Sequence, residues 1–135
     1  MSKDKKAMGA RYNGGKLELQ YCPLSTIAAV SIVFAMNSKK QGGKYEDNNW
    51  RLGQPLSNHL NSLKRHIAKF EGGEDNDQDD GINHLWHALT NLSMAIEDLI
   101  NNPDLDDRYK GVQADFSYFQ EEYSRLLRLK NDKKS

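Results

Sequence analysis

The spacing of apolar residues between Leu56 and Phe70 constrains this chain more than any other feature. Leu56, Leu60, Leu63, Ile67 and Phe70 recur at intervals of four, three, four and three residues. That repeat marks one face of an α-helix. Its stripe is narrow, so the helix over 55–70 is expected to pack against another helix. A partner is predicted from about Gly81 to Asn101 or Asn102, before Pro103, with Ile82, Leu85, Leu89, Leu92, Ile96 and Leu99 as its packing stripe. Upstream, Pro23 suits a helix start, and Leu24–Met36 is apolar on nearly all sides, which predicts a helix buried at the centre. A last helix is expected from about Tyr109 or Val112 to Lys130, burying Phe116, Phe119, Tyr123, Leu126 and Leu127. Short connections between four such helices predict an all-α, four-helix bundle-like single domain over 9–130. Residues 1–8 and 131–135 read as tails, and 11–23 as an irregular arm, extended or a short strand over Lys16–Tyr21.

Bulk charge excludes some partners. Nineteen basic and nineteen acidic side chains cancel, so neither a nucleic acid nor an anionic membrane is expected. The apolar run Ile27–Met36 is too short to span a bilayer, and the basic N-terminus has no apolar run behind it. A single cysteine, Cys22, has no internal partner, which predicts a cytoplasmic protein with Cys22 as a small buried hydrophobe.

Chemistry concentrates between Phe70 and Asn91. Glu74, Asp75, Asp77, Asp79 and Asp80 crowd five carboxylates into seven residues. Just beyond them His84, His87 and Asn91 stand at i, i+3 and i+7, on one helix face. That face is polar, uncharged and bordered by Ala88, Met94 and Ala95, as expected of a stripe looking into a cleft. The acidic loop lacks the glycine and glutamate positions of an EF-hand. Its hard oxygen donors beside neutral imidazoles suit Mg²⁺ or Mn²⁺ holding a phosphate; a zinc site from His66, His84 and His87 is the weaker pattern. A solvated acidic loop favouring a helix N-terminus is the bland alternative. Arg11, Lys16, Lys44 and Arg65 are candidate phosphate contacts, and Asn13-Gly14-Gly15 between the first two suits either a close approach to an anion or a plain turn. Trp50 and Tyr45 either stack a base or plug a core edge. His59 stands seven residues before His66, too far to share an ion with it, and reads as structural.

Four ordered motifs carry a resemblance. They are RYNGGK (11–16), Lys44-Tyr45 with Asn49, Trp50 and Gly53, then Arg65-His66 with Phe70, Gly73, Glu74, Asp75 and Asp77, and Gly81 with His84, Leu85, His87, Ala88 and Asn91. Together, from about Gly9 to Asp107, they resemble the phage dATP/dGTP diphosphohydrolase N-terminal-like family, grouped with MazG-like all-α nucleotide pyrophosphohydrolases. The resemblance implies metal-dependent cleavage of purine deoxynucleoside triphosphates to monophosphate and pyrophosphate, in a phage protein acting in the host cell. It implies Glu74, Asp75 and Asp77 as ligands of Mg²⁺ or Mn²⁺, and His66, His84 or His87 as the group that orients or deprotonates water. Asn91 would bond base or sugar and Trp50 would stack on the base. A homo-oligomer is expected. The rival expectation is a non-catalytic nucleotide- or partner-binding phage protein that modulates a host system.

Overall fold

The structure, a computed structural model, describes residues 9–12, 14–111 and 116–134. The expected tail 1–8, Asn13, Val112 and Ser135 lie outside them. Four α-helices follow in order: α1 (Leu24–Asn37), α2 (Leu56–Glu71), α3 (His84–Asn101) and α4 (Ser117–Asp132). Short 3-10 turns punctuate the connections, and the described residues contain isolated bridges but no strand. Lys16–Tyr21 is therefore irregular, ending in a 3-10 turn over Leu19–Tyr21. The fold is all-α, as the periodicity requires.

The packed unit is an antiparallel α2–α3 pair with α1 laid against α3. Its inner face differs from the expected one. α3 buries Ala88 and Ala95 together with His84, Thr90 and Asp98. The leucine stripe points outward: Leu85, Leu92, Ile96 and Leu99 are all exposed, Ile96 by 53%. The reason lies in side-chain size and polarity. Ala88 and Ala95 let the two helices approach closely, and α2 offers His59 and His66 as polar partners across the seam. His59 Nε2 meets Asp98 Oδ2 at 2.7 Å near one end of the pair, and His66 Nδ1 meets His84 Nδ1 at 2.9 Å near the other. Both contacts are removed from bulk water, where polar groups must find each other.

Three further expectations are corrected. α1 buries only Ala29 and Val33, so it flanks the pair rather than filling the centre. α4 buries no residue, and Phe116, Phe119, Tyr123, Leu126 and Leu127 all remain exposed. It starts later than predicted and packs extensively on none of the other helices. An amphipathic pattern identifies an apolar stripe without saying what covers it. Cys22 is likewise exposed, since the arm that carries it does not pack on the helices.

Two carboxylates from distant parts of the chain satisfy the start of α2, which has no side-chain cap of its own. Asp107 accepts from Ser57 N at 2.9 Å and from Ser57 Oγ at 2.5 Å. Asp98 accepts from Gln54 N at 3.2 Å. Asp107 thus ties the segment after α3 back to α2, while its neighbour Asp106 pairs locally with Arg108. Gly53 makes this junction possible. Its φ of 82° and ψ of 161° lie in a region open essentially to glycine. A Cβ there would also fall 2.6 Å from Leu105 Cδ1 and 3.1 Å from Asp98 Oδ1. Gly53→Ala is expected to destabilise the fold by about 1–3 kcal/mol from backbone strain alone. Urea unfolding of both chains measures this, and an unchanged midpoint would refute it.

Candidate metal centre

The acidic segment is a tight loop with a defined backbone. Asp77 N donates to Ile82 O at 2.8 Å, and Gly81 N donates to Asp77 O at 2.7 Å. His84 N donates to Asp75 O at 2.9 Å, and Asn83 Oδ1 caps α3 by accepting from Leu85 N at 2.8 Å. Two carboxylates are anchored by one oxygen each. Asp77 Oδ1 accepts from Asp79 N at 2.8 Å, and Asp80 Oδ1 accepts from Ile82 N at 2.9 Å. Their second oxygens face the imidazoles: Asp77 Oδ2 lies 3.9 Å from His66 Nδ1, and Asp80 Oδ2 lies 2.8 Å from His87 Nε2.

The three imidazoles form one cluster. The His66 ring stacks on His87 with centroids 4.5 Å apart and planes 13° apart. The His84 side chain is wholly buried, at 0% exposure, and its Nε2 lies 3.3 Å from Glu74 Oε1. That contact is close but not aligned as a hydrogen bond, and the same holds for His87 Nε2 beside Asp80. Both nitrogens are therefore orphaned inside the protein, an uncommon condition for buried polar atoms. Two overlapping donor sets result, His66/Asp77/His84 and Asp77/Asp80/His87, each with its ligand atoms within 4.8 Å of one another. Mixed imidazole and carboxylate donors at this spacing are able to hold a divalent metal ion.

Burial lowers the pKa of His66 below its ordinary value, and the neighbouring His87 and His84 lower it further against the pull of Asp77. The backbone N–H of Asp79 holds Asp77 below the ordinary carboxylate value despite its burial, aided by the imidazoles. A histidine with a depressed pKa contributes stability above its unfolded value of 6.5 and loses it as pH falls towards the folded value. In the presence of chelator, the melting temperature is expected to drop on acidification from about pH 7.5 to about pH 5. His66→Gln should flatten that slope; an equal slope in both chains would exclude His66 as its source.

Through His66 and His87 the cluster borders a cleft of about 930 Å³, lined also by Phe34, Trp50, His59 and Asn91. Asn91 Nδ2 donates to His87 O at 2.9 Å, and no described residue donates to its Oδ1. Trp50 stands in the wall with Phe34 at 5.7 Å and the Arg51 guanidinium 4.4 Å from its ring centre. A base stacking on the face that Arg51 covers would displace it. The structure brings together His66, His84, His87, Glu74 and Asp77. Asp75 supplies its backbone carbonyl at the same loop. Arg11, Lys16, Lys44 and Arg65 are exposed and line no part of the cleft. Lys40 does line it, paired with Asp47 at 3.1 Å. Three features escaped sequence reasoning: Lys40, the pairing of Asp80 with His87, and Asp98 as the partner of His59. For Asp80 the signal was present, since an aspartate two residues before Ile82 can anchor itself on that N–H and free one oxygen.

No helix among the described residues is long and apolar enough to cross a membrane. The sequence matches the family described as "dATP/dGTP diphosphohydrolase, N-terminal" over residues 6–108. It is 30% identical over 100 residues to the dATP/dGTP diphosphohydrolase of Salmonella phage PMBT28, covering 74% of this chain and 33% of that relative. The chain thus spans about a third of the length of the relative. No solved structure matches it. The matched region contains α1 to α3, the acidic loop and the imidazole cluster, and the chain belongs to the dATP/dGTP diphosphohydrolase N-terminal family.

Proposed function

We propose that this chain is a metal-dependent hydrolase of purine deoxynucleoside triphosphates that yields monophosphate and pyrophosphate in phage nucleotide metabolism. The observation that carries the reading is the imidazole–carboxylate cluster, two of whose imidazoles, His66 and His87, line a cleft large enough for a nucleotide. The name of the phage relative supports the substrate class. Asp77 and Asp80, each with one oxygen anchored and one free, would hold Mg²⁺ or Mn²⁺ with the imidazoles. When bound, a divalent cation supplies neutralisation of phosphate charge and lowers the pKa of water. His66 and His87 line the cleft and would orient or deprotonate the attacking water. Asn91 Oδ1 would accept from base or sugar, and Lys40 would meet phosphate.

Incubation with a panel of nucleotides and Mg²⁺ or Mn²⁺, followed by product chromatography, tests the reading. Monophosphate and pyrophosphate from dATP or dGTP are expected; intact nucleotide throughout would refute it. A second reading has its own support, because the chain spans only a third of its relative. In that reading the chain binds nucleotide without cleaving it, and binding survives chelation.

Self-association belongs to the same proposal. The outward stripe Leu85, Leu92, Ile96 and Leu99 is regular and apolar, as interfaces between copies are. Leu92→Glu combined with Ile96→Glu is expected to convert an oligomer to a monomer by light scattering without altering helix content. A monomeric parent chain would refute this part.

A further inference from the structure

The cleft has two ends, and the helix pair that lines it sets which chemistry stands at each. His66 meets His84 at one end of the antiparallel α2–α3 pair, and His59 meets Asp98 at the other. Asn58, Ser62 and His66 line the cleft from α2 at i, i+4 and i+8, so Asn58 stands about 12 Å along the helix from His66. Gln54 lies at the far end with it, its N–H bonded to Asp98 Oδ2 at 3.2 Å. Trp50 belongs to that end too, since it also borders a small hollow with Asp98 and Asn102. We propose that Gln54 and Asn58 form a paired-amide reader of the base edge, which takes adenine and guanine alike by turning both amides over together. The proposal rests on the nucleotide reading of this cleft and names the residues that set base preference there.

The pair suits an edge with one donor and one acceptor. Asn58 Nδ2 donates to Gln54 Oε1 at 3.1 Å. Among the described residues nothing donates to Asn58 Oδ1 or accepts from Gln54 Nε2, and both residues line the cleft. An acceptor and a donor are thus left together for a ligand. Adenine presents N6–H as a donor and N1 as an acceptor, and one amide polarity fits it. Guanine presents O6 as an acceptor and N1–H as a donor at the same two positions, which is the opposite polarity. When both amides turn over, Gln54 Nε2 becomes the donor to Asn58 Oδ1. The bond between them is kept, and what they offer the base is reversed.

Distance assigns the pair to the base. With phosphates at the imidazole–carboxylate end, about 12 Å of helix separates them from Asn58. That suits the reach from phosphate through sugar to the far edge of a two-ring base. Asn91, one turn beyond His87 on α3, then falls beside the sugar. Phe34 and Trp50, with ring centres 5.7 Å apart, supply an apolar wall for the ring. A pyrimidine held by the same phosphates falls short of the amides by the depth of one ring.

The test measures equilibrium binding of the full chain, with Mg²⁺, to the uncleavable α,β-methylene analogues of dATP, dGTP and dCTP. The parent is expected to bind both purine analogues within a few-fold of each other and roughly tenfold or more above the dCTP analogue. Asn58→Asp and Gln54→Glu each fix an acceptor at one of the two positions and hold the remaining amide as a donor. Each should shift the dATP-to-dGTP affinity ratio by roughly 10–100-fold, and in opposite directions, because the two acids freeze opposite polarities. The added charge weakens both purines together, so the ratio isolates the edge. An unchanged ratio in a folded acid variant, or shifts of the same sign, would overturn the proposal. Circular dichroism checks each fold, and the uncharged Asn58→Ala serves if an acid variant fails to fold. It should weaken both purine analogues by about tenfold or more and leave the dCTP analogue unchanged; an equal loss on all of them would overturn the reader. An unchanged ratio beside intact cleavage sinks the reader alone. Opposite shifts in a chain that cleaves no nucleotide sink the hydrolase reading alone, and a parent that binds no analogue sinks both.

Discussion

An Asp98→Ala chain is expected to lose about 3–5 kcal/mol of folding stability, the usual consequence of removing one partner from a buried polar pair. The Asp98 and His59 side chains are each 5% exposed and 2.7 Å apart. Asp98 also accepts from Gln54 N at 3.2 Å and from Asn102 Nδ2 at 3.0 Å. Its loss would leave the buried His59 imidazole and the Gln54 N–H without their carboxylate partner, and the imidazole would carry a desolvation penalty. Burial pushes the Asp98 pKa up, but the bonds from His59, Gln54 N and Asn102 outweigh it and leave the pKa below the ordinary 3.8. A depressed carboxylate pKa contributes stability above the unfolded value and loses it as pH falls through the folded one. The deficit of the variant should therefore be full near neutrality and shrink below about pH 3.8. Denaturant unfolding across that range measures it. A loss under about 1 kcal/mol at neutral pH would mean the pair is dispensable.

The second large effect is on turnover. On the proposed hydrolase reading, His66→Ala is expected to slow cleavage of purine deoxynucleoside triphosphates by roughly 10²–10⁴-fold, the range for removing a positioned proton-transfer group. His66 is chosen because it touches both other imidazoles and lines the cleft. The loss should fall on kcat with KM little changed, since the cleft wall formed by Trp50 and Asn91 is untouched. His66→Gln should restore the melting temperature but not the rate. Turnover within a few-fold of the parent in either variant would remove His66 from the chemistry.

Helices were legible in the sequence because the 3.6-residue repeat is a local property. α2 was placed to within a residue at each end by Leu56–Phe70 and the flanking Pro55 and Gly72. The sides of α3 were not legible, and the rule that failed was the assumption that the apolar stripe packs inward. A helix packs on whichever face its neighbour complements, and α2 brings His59 and His66 to the seam, beyond the reach of α3's own pattern. His84 and His87 could be singled out because they share a helix face with Asn91. The convergence of His66 on them, across eighteen residues, depends on how the loop closes. Asp98 lies thirty-nine residues from His59 and sits among ordinary surface acids in the sequence, so nothing local marks it. The basic residues are a different case, since none of Arg11, Lys16, Lys44 and Arg65 lines the cleft. Arg11 and Lys16 flank a glycine turn that suits an anion, but a turn's chemistry does not say where the turn is held.

The inverted helix α3, polar within and apolar without, has a consequence for how stability is supplied. A monomer of this shape keeps little of its hydrophobic surface to itself, with only Ala29, Val33, Leu56, Ile82, Ala88 and Ala95 as its buried apolar residues among those described. Much of the free energy that ordinarily holds a domain together would then come by mass action, from whatever binds the folded chain and not the unfolded one. On the proposed self-association, the melting temperature rises with protein concentration and falls on dilution. A chain that associates in the proposed way would fold firmly only once it is abundant.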